Sequence, residues 1–292
     1  MRLQASRSWF FALLLAFSGG CLAQTASPSP SPSPSPALKK GSTLHKPGSN
    51  LLEDIASDQK AIWTSPFHIG RSDWKWLAPF AGGTAVLIAT DKTTSGWVST
   101  GGSLPAVSHA VSWGGSVYAT VGAAGGMWAI GKASHNDHLA ETGRLAAEAL
   151  ADTEIVTEVA KFGFGRLRPN VGDGEGRFFH GGRSFFSGHA SGSWAVASVV
   201  ACEYHDNPLA VWGAYGLAAA VSLSRYTGRN HFLSDVFVGS AVGYGIGRFV
   251  CGKRSSHTGP DDDTYTVSRR WRVSPYLNAS TGAKGGSLVW SF

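Results

Sequence analysis

The chain has 292 residues, enough for one domain with a real core once its ends are discounted. Its formal charge of +6 suits nucleic acid, a membrane surface or small anions. No basic stripe with interleaved aromatics is present, which argues against nucleic acid, and 38 Gly with 11 Trp point to closely packed helices and glycine-rich loops.

The first residues read as an export leader. Met1, Arg2 and Arg7 precede an apolar run from Trp9 to Phe17, and small residues follow. Cleavage after Ala23 is the first expectation, which makes residues 1–23 a signal peptide. Lipidation at Cys21 ranks second, because the usual leucine three residues before the cysteine is missing. An uncleaved anchor ranks third, since the run is short for a membrane span. The Pro-Ser repeat from Ser27 to Pro36 favours extended, unpacked chain, so residues 24–48 read as a linker. A periplasmic or cell-envelope location follows, with peripheral membrane association as an option.

Residues 49–255 read as one helical domain. Ser49–Ile62 is a short amphipathic lead-in helix, and Asp73–Thr90 is a strongly apolar one. Leu104–Lys132 reads as one long helix rich in Gly, Ala and Ser, with His109 and Trp113 in core positions. Asn136–Lys161 is amphipathic, with Leu139, Leu145, Ala149, Ile155 and Val159 on its inner side. A glycine-rich loop covers 170–183. Helices follow at Ser187–His205, Pro208–Ser224 and Asn230–Val250. A membrane span needs about 20 mostly apolar residues, and these runs are short or diluted with small residues. In the tail, 256–292, the stretches Trp271–Asn278 and Ser287–Phe292 alternate like the strands of a hairpin, expected to act as a lid or packing flap. Cys202 and Cys251 are expected as two buried thiols. If both helices start level, the cysteines lie about 20 Å and about 30 Å along them at 1.5 Å per residue.

Three stretches carry chemistry. Lys161-Phe-Gly-Phe-Gly-Arg-Leu-Arg168-Pro169 supplies two cations. Ser184-Phe-Phe-Ser187-Gly188-His189 opens a helix, where a serine cap and free N–H groups make an anion site. Ser224-Arg225 precedes His231, and Asp235 follows four residues later. On a helix His231 and Asp235 share a face, and the carboxylate can accept the Nδ1 proton and leave Nε2 bare. Arg225 would sit in the loop leading into that helix. Arg166 and Arg229 read as solvated surface residues, and His180 as exposed and inert. Three cations at one place attract a phosphate and repel a metal cation, so no metal site is expected.

In order and spacing these stretches resemble the signature of the type 2 phosphatidic acid phosphatase superfamily, which also holds bacterial non-specific acid phosphatases and vanadium haloperoxidases. The resemblance spans Lys161 to Asp235. One position departs from it: the family usually has proline before Ser-Gly-His, and this chain has Phe186, which implies a changed loop shape with activity retained. The resemblance implies an all-α helical bundle, here with a small C-terminal β-hairpin, and a metal-independent phosphomonoesterase acting on a lipid phosphate or a small soluble phosphate. It implies His231 as nucleophile, Asp235 as its orienting partner and His189 as general acid and base. Lys161, Arg168, Ser187, Gly188 and Arg225 would hold the phosphoryl oxygens. No cofactor is expected. The alternative is a vanadium haloperoxidase, with vanadate in the same pocket, and a non-catalytic phosphate binder is a third reading.

Overall fold

The computed structural model describes residues 50–99 and 101–255, with backbone also given for Trp271–Leu277 and Lys284–Trp290. The expected leader and linker lie outside the described residues. The domain is helical: α1 (Leu51–Thr64), α2 (Trp74–Gly96), α3 (Leu104–Trp113), α4 (Val117–Ala133), α5 (Asp137–Phe164), α6 (Gly188–Glu203), α7 (Pro208–Thr227) and α8 (Leu233–Ser255). Helix α6 is central and packs on α5, α7 and α8. The main core lies among α4, α5, α6 and α8, built from Ala124, Leu145, Ala146, Ala149, Ala195, Val199, Ile246 and Val250.

Small residues set the spacing of the bundle. Gly239, Gly243 and Gly247 recur every four residues along α8 and so form one stripe. That stripe lies on the backbone of the Ser187–Ala195 stretch: a Cβ at Gly243 would sit 2.0 Å from Ser191 O, and one at Gly247 would sit 2.5 Å from Ala195 O. The two helices therefore run side by side at backbone contact, starting from the same end.

Three expectations about the helices change. The long apolar helix is two, because the chain breaks at Gly114-Gly115-Ser116 and Ser116 caps α4 by accepting from Ala119 N. Gly115 is pressed against α6 and α7, where a Cβ would lie 2.1 Å from Val221 Cγ1. His109 and Trp113 are exposed, not core. The buried side of α3 is Ser108 and Ser112 instead, with Ser108 Oγ 2.7 Å from Thr227 Oγ1 of α7. On α5, Leu145 and Ala149 face inward but Ile155 and Val159 are exposed. Its buried face runs through Thr142, Leu145, Ala149, Thr153 and Thr157, a stripe the apolar pattern hides because three of the five are threonine. No described helix is long and apolar enough to cross a membrane.

The cysteines also differ from expectation. Cys202 and Cys251 form a disulfide, with Cα atoms 6.6 Å apart. The two helices do not start level at His189 and His231. Ser187 N donates to Asp235 O at 3.1 Å, which puts those two residues side by side. From that point Cys202 is 15 residues on and Cys251 is 16, so at about 1.5 Å per residue the sulfurs arrive together. Replacing both by alanine is expected to lower stability by roughly 2–4 kcal/mol, the usual worth of such a bridge. The melting temperature of the double variant measures this, with activity unchanged because the bridge lies at the far end of the helices.

Candidate active site

The three chemical stretches meet at one end of the bundle. Lys161 lies in the last turn of α5, which ends on Gly165 in the left-handed region at φ 50°. The chain then doubles back: Ser184 N donates to Arg166 O at 2.9 Å and Leu167 N to Arg177 O at 3.0 Å. This returns the chain to the start of α6, where Ser187 is the N-cap and its hydroxyl accepts from Ala190 N at 3.4 Å. The first N–H groups of α6 have no carbonyl partner within the helix, as at any helix start. Gly188 lies close to Lys161, because a Cβ there would be 3.0 Å from Nζ. A side chain at 188 would push the ammonium away.

Arg225 lies in the last turn of α7, not in a loop. Its carbonyl accepts from Asn230 N at 3.1 Å and His231 N at 3.2 Å. This tight turn places His231 against the end of α7. The Arg225 guanidinium is steered by a hydrogen bond from Nη1 to Ser112 Oγ of α3. Its Nε is buried without a protein partner among the described residues, a donor left over for an anion.

His231 and Asp235 do not share a helix face. Helix α8 begins at Leu233, so His231 precedes it and Asp235 is in its first turn. The imidazole is 3% exposed. Its Nδ1 is 2.9 Å from Ser184 O and 3.7 Å from Asp235 Oδ2. A carbonyl can only accept, so Nδ1 carries the hydrogen and Nε2 keeps its lone pair. The backbone of Ser184 thus does the tautomer-setting that the spacing assigns to Asp235. The carboxylate acts from one step further out. Its Oδ2 accepts from Ser184 Oγ at 2.5 Å and from Phe232 N at 3.0 Å, which caps α8. Its Oδ1 accepts from Arg166 Nη1 at 2.6 Å.

The charges act on one another as one cluster. Burial, then the charges of Arg225, His231, Lys161 and Arg168, push the His189 imidazole down to about 3. Burial also lowers His231, against the pull of Asp235 and with Arg225 and Arg168 adding to the effect. Burial and then Arg168 bring Arg225 down to about 10. Burial alone would raise Asp235, but His231, Arg166 and Ser184 outweigh it and hold the carboxyl below its ordinary range. An anion placed among these groups would offset their mutual repulsion.

Arg166 is the main correction among the flanking residues. It is 1% exposed, stacked between the rings of Phe178 and Phe232 at 4.7 and 4.2 Å, and bonded to two buried aspartates. Arg229 is half-buried at φ 55°, not solvated. His180 is exposed. Phe186, in the position where proline is usual, is buried with Phe185 and Val238 in a second apolar cluster beneath the site. The loop that carries the cap is therefore anchored by aromatic packing. Sequence reasoning gave Ser184 no role although it opens one of the quoted stretches; no spacing rule signals a backbone carbonyl.

Residues 143–255 match the family model described as PAP2 superfamily. A curated relative, the Lipid A 1-phosphatase of Porphyromonas gingivalis, is 33% identical over 93 residues, 32% of this chain and 19% of the relative. The chain thus matches about a fifth of that protein's length. No solved structure matches the chain. The matched segment contains the whole three-part motif, from Lys161 to Asp235, and over that segment the match supports membership of the PAP2 superfamily.

Proposed function

We propose that this chain is a phosphatase that hydrolyses phosphate monoesters through a phosphohistidine on His231, without a metal ion. The observation that carries the reading is the cluster itself. Two imidazoles sit in the field of Lys161, Arg168 and Arg225, and the one with a defined tautomer keeps its Nε2 lone pair. In the first half, Nε2 attacks phosphorus, the ester P–O bond breaks, and His189 gives a proton to the leaving oxygen. In the second half, His189 takes a proton from water as the water oxygen bonds to phosphorus. The P–N bond breaks and its electron pair returns to Nε2. Lys161, Arg168, Arg225 and the first N–H groups of α6, presented by Ser187 and Gly188, hold the phosphoryl oxygens throughout. A pocket with this donor set favours an anion over a divalent cation.

The same proposal covers the substrate. A cavity of about 400 Å³ lies among α4, α6 and α7, lined by Met127, Val196, Val200, Leu217 and Val221. Its inner end, at Gly114 and Val221, adjoins Gly115, whose neighbours are Ser193 and the His189 carbonyl. An apolar chain attached to a phosphate fits this arrangement, and the Porphyromonas relative is named for a lipid phosphate. Exposed Trp74, Trp76, Trp97 and Trp212 suit contact with a lipid surface. Export rests on the leader and linker alone. The C-terminal hairpin would pair Trp271 with Trp290 and Leu277 with Lys284 as a flap.

The test is a panel in EDTA: 4-nitrophenyl phosphate, alkyl phosphates of rising chain length, and a lipid phosphate in mixed micelles. The expected result is turnover of all, with kcat/KM rising at least tenfold as the chain lengthens. No hydrolysis of any of them would overturn the phosphatase reading, and equal kcat/KM across chain lengths would overturn the lipid assignment.

A further inference from the structure

Asp91 lies on α2, outside the matched segment 143–255 and outside every motif in the sequence. It is fully buried, as are Ser234 and Asp235. Its Oδ1 accepts from Ser234 N at 3.1 Å, and its Oδ2 accepts from Ser234 Oγ and, at 2.8 Å, from Arg166 Nη2. Arg166 spans the gap to the site: Nη1 donates to Ser234 Oγ at 2.7 Å and to Asp235 Oδ1 at 2.6 Å, and Nε donates to Gly176 O at 3.0 Å. One guanidinium is thus shared by two buried carboxylates, and both carboxylates grip the first turn of α8. Phe178 and Phe232 close on its two faces and keep water out.

We propose that Asp91 is a positioning residue for His231, acting through Arg166 and Ser234 on Asp235 and on the start of α8. The chain of contacts is continuous. Asp91 fixes Ser234 by its N–H and hydroxyl, and it fixes Arg166 by its charge. Arg166 fixes Asp235, and Asp235 holds the Ser184 hydroxyl. The Ser184 carbonyl holds His231 Nδ1. One arginine between two aspartates leaves the cluster with one excess negative charge, which favours a protonated imidazole nearby. If Asp91 loses its charge, that excess is gone and the protonated ring is disfavoured. The other groups facing His231 are Asp235 on α8, Arg225 on α7, His189 on α6 and Arg168 in the loop before α6, and these stay in place.

The inference rests on the reading of His231 as nucleophile, and the test separates the two. Asp91→Asn is measured in full-length protein for kcat and KM on 4-nitrophenyl phosphate. Its His231 ring is followed through pH by ¹⁵N imidazole spectra, assigned with His231→Gln. The expected result is a 10- to 100-fold loss of kcat, roughly the range for a displaced catalytic group, with KM within about threefold. The His231 titration moves to lower pH, and Asp91→Glu brings it back toward the wild-type value. Wild-type kcat, or a loss of kcat with an unmoved titration, overturns the inference. If Asp91→Asn does not fold, Ser234→Ala decides, because it removes only the hydroxyl between Asp91 and Arg166. A three- to tenfold loss of kcat at constant KM supports the tether, and wild-type kinetics overturns it. The spectra need no turnover, so a protein inactive on every phosphate would sink the phosphatase reading while the tether is still judged on the ring titration.

Discussion

His231→Ala is expected to abolish hydrolysis of both aryl and alkyl phosphates, by at least about 10⁴-fold, while His189→Gln divides the two. In the proposed mechanism every ester passes through the bond to Nε2, so no leaving group would rescue the loss of His231. His189 has a narrower task. 4-Nitrophenolate leaves without a proton, and an alkoxide does not. His189→Gln should therefore cost about tenfold or less on the aryl ester and roughly 10³-fold on an alkyl phosphate. Equal losses on both would show that His189 does not protonate the leaving oxygen.

A difficulty in this assignment is resolved by its own electrostatics. An imidazole at about 3 is neutral near pH 6 and cannot act as an acid. The charges that lower it are those of Arg225, Lys161 and Arg168 together with the other imidazole, after burial. A dianion placed among these groups cancels much of their field, and the His189 proton affinity rises. Binding of a dianion should then take up a proton at any pH between the free and the bound value. Sulfate does not itself titrate there, so calorimetry near pH 6 in buffers of different ionisation enthalpy reads the uptake directly. Roughly half to one proton is expected, and clearly less in His189→Gln.

The second large effect concerns stability. Gly243→Val is expected to prevent folding or to lower the melting temperature by more than about 10 °C. A Cβ at 243 would meet Ser191 O, C and Cα at 2.0, 2.7 and 2.9 Å. These are backbone atoms of α6, so no rotamer change relieves the clash. Ordinary overpacking costs about 1–3 kcal/mol because side chains give way. Here α6 and α8 must separate, and with them Ser187 and Asp235. Gly245, two residues on, has nothing within 4 Å of its Cβ position. Gly245→Ala should be neutral or stabilising by about 0.5–1 kcal/mol, which makes it the control. A well-folded Gly243→Val would mean that the two helices are not packed at backbone contact.

The sequence carried the chemistry further than the architecture. Lys161, Arg168, Ser187, His189, Arg225 and His231 could be singled out as candidates because their order and spacing resemble a known superfamily signature and their residue types suit a phosphoryl group. Ser187 was recognisable as a cap because the polar cap and small residues that begin a helix are local signals. Local signals also placed most of the helices, within a turn or so. The exception is 114–116, where Gly114-Gly115 and the cap Ser116 are local break signals lost within a stretch rich in small and apolar residues.

Only the tertiary structure decided what holds the site in place. Whether Arg166 faces solvent or two aspartates depends on α2, some 75 residues earlier in the chain. Whether Asp235 or the Ser184 carbonyl sets the His231 tautomer depends on where α8 begins, and a four-residue spacing cannot say that. The pairing of Cys202 with Cys251 depends on the relative stagger of two helices, set by the bond from Ser187 N to Asp235 O. The physical reason is common to all three. Residue type and spacing encode what a group can do and its local backbone, while burial, stagger and partner choice are properties of contacts between segments far apart in sequence.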